Sequence, residues 1–545
     1  MYIDIFKGIK PDEKILVTNS CIMITNYHIG DNPALEKLFS VFDPIYHKAE
    51  LKGVYYDKKH SILYLPSGLD LWKIRNYFNT KYYHRISNHH YKRITNLKMK
   101  AMPRDEVQYE ALKFTCGLED YQDNQYLSQI SINLNTGKGK TYVSIATIAF
   151  HMVKTIIIAF SNSLLHQWYT ELIKYTSLEY DDIMQISGDS KEDIRTCNIQ
   201  RLLYGQYKEA EIYLVTHATL KSYADQFGWD KIYDLFEKLG IGIKIYDECH
   251  TNFDAMLMID YYTNVWKTYY VSATPMRSDW KENIIFQLSL KNVPGIDLFD
   301  ENNDPHTSYV AIKWNSKPSP KDISYCKNKY GLDRMRYIEY VTNNPEFYKM
   351  MRIIMDLVLK TKGKVLMYIG TNSALLRVYN WIGQNYVQEL GGDIGIFTSL
   401  LPQEEKLKQK EKRLILSTTK SAGLGEHISG LKMTIVLAEP FKSEVIARQT
   451  LGRTRDKDTL YVELVDLGFL YIRKYYDAKL PVFNKYASDV SDTFINSYEL
   501  NRRVENINEK YNKGREGLTS PIRFIDNRFD FSKSDIIEEP SSKDD

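Results

Sequence analysis

From about residue 105 to 275 the chain keeps returning to one pattern: a short run of β-branched and aromatic residues, then a longer stretch with apolar residues at helical spacing. The runs are SINLN at 131–135, TIIIAF at 155–160, EIYLVT at 211–216, GIKIYD at 242–247 and TYYVSAT at 268–274. A strand this uniformly apolar has no face to give to water, so it must be covered on both sides. Parallel pairing through helical crossovers achieves that cover. A second series follows, with KVLMYIG at 364–370, IGIFTSL at 394–400, RLILSTT at 413–419, MTIVLAE at 433–439 and LYVELVD at 460–466. The pattern predicts two doubly wound, parallel α/β domains in tandem.

Around these series the composition changes. Residues 1–100 lack the alternation and contain apparent hairpins, such as GVYYDKKHSILYLPSG at 53–68. Residues 284–330 are rich in Pro, Asn and Asp and read as a linker. The chain ends in the acidic stretch SDIIEEPSSKDD, which reads as disordered. The expected organisation is an N-terminal α+β accessory domain over 1–100, a first α/β domain over 101–283, the linker, a second α/β domain over 331–480, and an extension over 481–545 that begins with a short helix.

The net charge is only +3, so any affinity for a polyanion must come from a local patch. The segment 73–104 offers one: it carries nine Lys or Arg and no acidic residue, interleaved with Tyr77, Phe78, Tyr82, Tyr83 and Tyr91. Basic groups neutralise phosphates while aromatic faces stack on bases. A solvated basic face with tyrosines packed inward has the same composition. The five cysteines are scattered without metal-ligand spacing and read as free thiols of a reducing compartment. The apolar stretch 142–160 is broken by His151 and Lys154 and reads as a buried helix and strand rather than a membrane span. These features predict a cytoplasmic protein (host cytoplasm if viral) without a membrane partner.

Chemistry concentrates just after certain strands. SINLN runs into Thr136-Gly137-Lys138-Gly139-Lys140-Thr141 and then a helical stretch. Glycines there let backbone N–H groups cradle phosphates at a helix N-terminus. Lys140 is placed to reach the β- and γ-phosphates, and Thr141 to bind Mg²⁺. Leu134 stands where the full pattern has Gly. GIKIYD ends in Asp247-Glu248-Cys249-His250, an acidic pair suited to holding a metal ion and activating water. Ser272-Ala273-Thr274-Pro275 follows the next strand.

In this order, TGKGKT, DECH and SATP resemble motifs I, II and III of the superfamily 2 helicases of DEAD/H type. The resemblance extends over roughly residues 101–470. Gln108 lies where the family has its adenine-reading glutamine. Ser161 to Trp168, ending in Gln167-Trp168, resembles motif Ia, and Thr216 resembles motif Ib. Thr371 falls in a motif IV-like segment. Thr418, with Gly425-Glu426-His427, falls in a motif V-like one, with His427 where Asp is usual. Gln449 to Arg455 is close to motif VI, but the last arginine stands one residue early, so Arg453 and Arg455 are both arginine-finger candidates. Gln-Trp, SATPMR and GRTR are similar to the UvsW and XPB-like group found in large bacteriophages, whose C-terminal extension the helix after motif VI resembles.

The resemblance implies two RecA-like domains that use ATP with Mg²⁺. It makes Lys140, Glu248, Gln449, Arg453 and Arg455 catalytic and Gln108, Thr136, Gly137, Lys138, Gly139, Lys140 and Thr141 nucleotide-binding. Thr141, Asp247 and Glu248 become the metal set, and Gln167, Trp168, Thr216, Thr371 and Thr418 the nucleic-acid contacts. Ser272 and Thr274 couple hydrolysis to movement. The implied activity is an ATP-dependent helicase or translocase on single-stranded or branched DNA, with RNA possible, in viral replication, recombination or repair. A translocating subunit of a restriction or remodelling complex and a non-enzymatic scaffold with a degenerate ATPase are the alternatives.

Overall fold

The computed structural model describes residues 14–43, 48–80, 82–86, 90–134, 139–186, 195–272, 280–298, 307–329, 331–398, 401–419, 428–451 and 458–494. They fall into two compact units, up to residue 298 and from 307 onward.

In the first unit the apolar runs form an eight-stranded, wholly parallel sheet. From edge to edge its strands are Thr196–Cys197, Ile183–Ile186, Ile212–Thr216, Thr155–Ala159, Ile243–Asp247, Lys267–Ser272, Gln129–Leu134 and Gly295–Leu298. Side chains alternate between faces at the period of a strand. One face, with Ile132, Ile157, Leu214, Ile245 and Val271, packs on helices Glu106–Cys116, Lys140–His151 and Asn162–Tyr175. The other, with Ile156, Ile158, Val215, Tyr246 and Tyr270, is covered by helices His217–Phe227, Asp230–Leu239 and Phe253–Tyr261 and by the N-terminal region. The apolar stretch 142–160 is the second helix of the first face and the strand after it. Among the described residues no helix is long and apolar enough to cross a membrane.

The N-terminal region is a five-stranded mixed sheet, ordered Tyr55–Asp57, Ile62–Pro66, Cys21–Ile24, Ile15–Val17 and His84–Arg85, with only the last pair parallel. The expected hairpin at 53–68 is its edge: Asp57 closes the turn by accepting the amides of Lys59 and His60. This sheet has no core of its own. Its apolar face is continuous with the first α/β core. Tyr64 stacks on Tyr262 with centroids 5.4 Å apart, and the Asn19 side-chain amide donates to the carbonyls of Val265 and Trp266. Gly68 lies so close to helix Trp280–Leu290 that a Cβ there would sit 2.2 Å from the Ser289 carbonyl oxygen.

The basic segment divides in two. In its first part Tyr82 is 77% exposed and Tyr83 is exposed as well, as is Trp72 just before the segment. From Tyr91 onward the chain is instead bound to the first sheet's surroundings. Tyr91 stacks on Trp266, Lys92 pairs with Glu209, and the amides of Lys92, Ile94 and Lys100 donate to the carbonyls of Gly240, Met152 and Tyr175.

The second unit is a seven-stranded parallel sheet, ordered Ile394–Phe397, Leu414–Ser417, Lys364–Ile369, Leu431–Ala438, Thr459–Asp466, Thr307–Trp314 and Asp489–Phe494. Two expected boundaries change. The 284–330 stretch is no linker: Gly295–Leu298 is an edge strand of the first sheet and Thr307–Trp314 an inner strand of the second. Pro- and Asp-rich flanks hide an eight-residue strand whose side chains are nearly all buried. At the other end, the extension expected from 481 contributes the edge strand Asp489–Phe494. Helix Leu470–Tyr486, despite Pro481 in its interior, packs on the sheet through Phe483, 3.9 Å from the Tyr309 ring centroid, and through the buried ion pair of Lys479 with Glu463. The tail from 495 lies outside the described residues.

Candidate active site

Parallel strands end together, so residues just past the carboxyl ends of neighbouring strands meet. Strands Gln129–Leu134, Lys267–Ser272 and Ile243–Asp247 are neighbours in the first sheet, and each leads into one of the chemical segments. Helix Lys140–His151 starts at Gly139, and no side chain caps it. Its first-turn N–H groups are therefore left for an anion. Gly139 has φ +82°, and a Cβ on it would lie 2.1 Å from the Gln108 side-chain nitrogen. Glycine is required there twice over. Gln108 is itself held, because its Oε1 accepts the Arg104 amide at 2.8 Å and Asp105 caps its helix. The structure thus brings Gln108 against Gly139, at the helix end of the phosphate loop. Arg104 pairs with Asp105.

Lys140 Nζ donates to Glu248 Oε1 at 2.7 Å, with the two side chains 12% and 13% exposed. Glu248 reaches it because its backbone turns left-handed, with φ +51°, immediately after the strand. A non-glycine residue pays about 1 kcal/mol or more for that conformation, and such strain gathers at functional sites. The turn is secured by Thr251, whose amide and hydroxyl both donate to the Glu248 carbonyl at 2.9 Å. Asp247 is buried, and burial together with the adjacent Glu248 charge pushes its carboxyl up to about 6, opposed by Lys140 and by the indole N–H of Trp168. His250 Nδ1 lies 2.9 Å from Ser272 Oγ, which ties the acidic turn to the neighbouring strand end. Thr141 is partly exposed in the helix's first turn. Thr136, Gly137, Lys138 and Thr274 lie outside the described residues.

No group of three or more His, Cys, Asp or Glu able to hold a metal occurs among the described residues. Magnesium bound with phosphates keeps several waters and needs only one or two protein carboxylates, a number that an adjacent pair such as Asp247 and Glu248 matches.

The expected nucleic-acid residues are less uniform. Trp168 is 1% exposed on the core face of helix Asn162–Tyr175, and its Nε1 donates to Asp247 Oδ2 at 2.8 Å. The expectation of a strand-contacting Trp168 is therefore corrected: the side chain faces the acidic pair beneath the surface. The spacing Leu164, Leu165, Trp168, Leu172 marks it as a core position, since residues four apart share a helix face. Gln167 is half-buried and donates to Glu171 one turn on. Thr216 is buried and caps helix His217–Phe227 by accepting the Thr219 amide. Next to it, His217 donates from Nδ1 to the Ala159 carbonyl and stacks on Tyr246. In the second unit Thr371 caps helix Asn372–Leu390, and half-buried Thr418 follows strand Leu414–Ser417. Gln449 lies in helix Glu444–Leu451, while Gly425, Glu426, His427, Arg453 and Arg455 fall outside the described residues.

A second charged cluster, which no local sequence pattern announces, lies on the opposite face of strand Ile243–Asp247. Lys244 and Asp260 form an ion pair at 2.5 Å, with side chains 0% and 2% exposed. Tyr246 and Tyr270 each donate to Asp260 at 2.8 Å, and Lys244 also donates to Thr263. Gln129 bridges Tyr270 to Ser67 of the N-terminal sheet.

Residues 84–277 match the family described as the type III restriction enzyme, res subunit. Over 193 residues the chain is 27% identical to a Haloarcula marismortui protein named as the DNA 3'-5' helicase Rad25; the match covers 34% of this chain and 27% of that one, about a quarter of the relative's length. Among solved structures, Saccharomyces cerevisiae Dbp5 bound to RNA and ADP BeF3 shares the fold with a TM-score of 0.50 at 14% identity, over 74% of this chain and 93% of that one. The T4 UvsW structure aligns over 88% of this chain and 99% of its own, at 14% identity and a TM-score of 0.35, too low to establish a common fold. With motifs I and II at the ends of parallel strands in the expected order, and tandem RecA-like sheets to carry them, the chain is similar to the superfamily 2 helicases of DEAD/H type.

Proposed function

We propose that the chain is an ATP-dependent nucleic-acid motor acting on DNA, and that it separates or remodels strands. The observation that carries this reading is the Lys140–Glu248 contact at an uncapped helix N-terminus, beside buried Asp247. Lys140 and the helix N–H groups receive the phosphates, and Lys140 then gives up Glu248 as its partner. Released, Glu248 is the base that orients and deprotonates the attacking water. Asp247, Glu248 and Thr141 are the residues to hold Mg²⁺, which when bound neutralises charge on the phosphates. Gln108 reads the base, and Thr136, Gly137, Lys138 and Gly139 complete the phosphate cradle. Gln449, Arg453 and Arg455 of the second unit supply the remaining polar and cationic groups.

Gln167, Thr216, Thr371 and Thr418 serve the nucleic-acid track, with Ser272 and Thr274 relaying hydrolysis to it. Trp72, Tyr77, Tyr82 and Tyr83, interleaved with Lys73, Arg75 and Arg85, form the patch best suited to stack on bases and neutralise phosphates.

The test is ATP hydrolysis against single-stranded, duplex, forked and four-way DNA and against RNA, before and after Lys140→Ala. Nucleic-acid stimulation that disappears with the substitution is expected; hydrolysis that is absent, or indifferent to it, overturns the motor. The restriction-subunit family match favours a second reading, translocation without strand separation. ATPase stimulation by duplex DNA without strand displacement on forks would select it.

A further inference from the structure

Trp168 is among the largest fully buried side chains of the molecule, yet its one polar atom is not spent on a backbone carbonyl. The indole N–H donates at 2.8 Å to Asp247 Oδ2. Helix Asn162–Tyr175, which carries Trp168, starts at the carboxyl end of strand Thr155–Ala159, next to strand Ile243–Asp247, which carries the carboxylate. Its bulk is locked in the core with Leu164, Leu165 and Leu172. A carboxylate has two oxygens and about four lone-pair sites. Besides the indole, the Asp247 carboxyl has a backbone hydrogen bond with Glu248, so Trp168 is its one side-chain donor named among the described residues and the one fixed from the core side. A charge-assisted bond from a side chain that cannot move fixes one oxygen and turns the other outward.

Resting on the motor reading above, we infer that Trp168 is a positioning residue for the cation-binding carboxylate: it holds Asp247 Oδ2 so that Oδ1 faces the nucleotide's metal ion. Partners that orient metal ligands in this way are worth about 10- to 100-fold in metal affinity or activity when removed. The bond can also be viewed from the other side, because a buried indole N–H needs an acceptor whatever its use. The two views separate experimentally, since replacing Trp168 with a ring that has no N–H removes that need as well.

The experiment uses the full chain with ADP and Mn²⁺, reading Mn²⁺ binding by electron paramagnetic resonance, alongside the Mg²⁺ dependence of ATP hydrolysis. Trp168→Phe removes the donor. Incorporation of 3-benzothienylalanine at 168 does so while keeping the bicyclic shape, which covers the case in which the phenylalanine variant folds poorly. Both are expected to weaken Mn²⁺ binding about tenfold and to raise the Mg²⁺ needed for half-maximal rate by a similar factor. Trp168→His, whose ring can still donate, should recover part of the loss. Unchanged Mn²⁺ affinity in folded variants overturns the inference, and so does a fall in melting temperature with no change in metal dependence. If the unmodified chain does not hydrolyse ATP, the motor reading fails by itself, and the Mn²⁺ affinities alone decide the role of Trp168.

Discussion

The strand Ile243–Asp247 separates two lysine–carboxylate pairs that obey opposite rules. At its carboxyl end, Lys140 meets Glu248 within reach of solvent, beside a second carboxylate whose charge is disfavoured. On its other face Lys244 meets Asp260 with no water access, and two tyrosines and a threonine complete the hydrogen bonding. Desolvation pulls the Lys244 ammonium downward, and Asp260 opposes that pull. The sealed pair has every group satisfied by fixed neighbours, which makes it permanent. The open pair is crowded with negative charge and, among the described residues, is balanced by Lys140, so an incoming phosphate can compete for that lysine.

The sharpest way to break this comparison is Lys244→Met. Removing one partner of a buried pair strands the other charge, at a cost of about 3–5 kcal/mol. Chemical denaturation should show that loss, while the ATPase rate per folded molecule stays near normal. Lys140→Ala should do the reverse. Loss of one group that stabilises transition-state charge lowers turnover by about 10²–10³-fold, and a melting curve should move far less than for Lys244→Met. Equal destabilisation by both would abolish the distinction.

Acid provides a third probe. Burial holds His217, stacked on Tyr246, down at about 4, below its ordinary 6.5. The unfolded chain therefore takes up a proton between pH 6.5 and 4 that the native chain refuses. Stability from this group is complete above 6.5 and declines through that window, by at most about 3 kcal/mol. His217→Phe should flatten that part of a stability-versus-pH curve; an unaltered slope would remove His217 from the account. The smallest effect expected is for Tyr270→Phe, which deletes one hydrogen bond to Asp260 and should cost about 1–2 kcal/mol without altering ATP turnover.

What was legible in the sequence follows the same division. Segments whose chemistry must sit in a polar loop directly after an apolar strand stand out, and so the phosphate-loop lysine and the acidic pair could be found. Strand Thr307–Trp314 was hidden by its flanks, and Asp489–Phe494 by its own polarity, since an edge strand needs no apolar run. The family resemblance points Trp168 outward, although its helical spacing with Leu164 and Leu172 points inward. The Lys244–Asp260 cluster could not be read at all. Its partners are brought together from 67, 129, 244, 246, 260, 263 and 270 by strand register and helix packing, and none bears a local signature.

The merger of the N-terminal sheet with the first α/β core has a mechanical meaning. With Gly68 pressed against helix Trp280–Leu290 and Asn19 bound to the entrance of strand Lys267–Ser272, the two sheets share one frame of reference. If the exposed aromatic patch binds nucleic acid as proposed, what it holds keeps its place relative to the first sheet. Under the proposed function the patch is an anchor rather than a moving part.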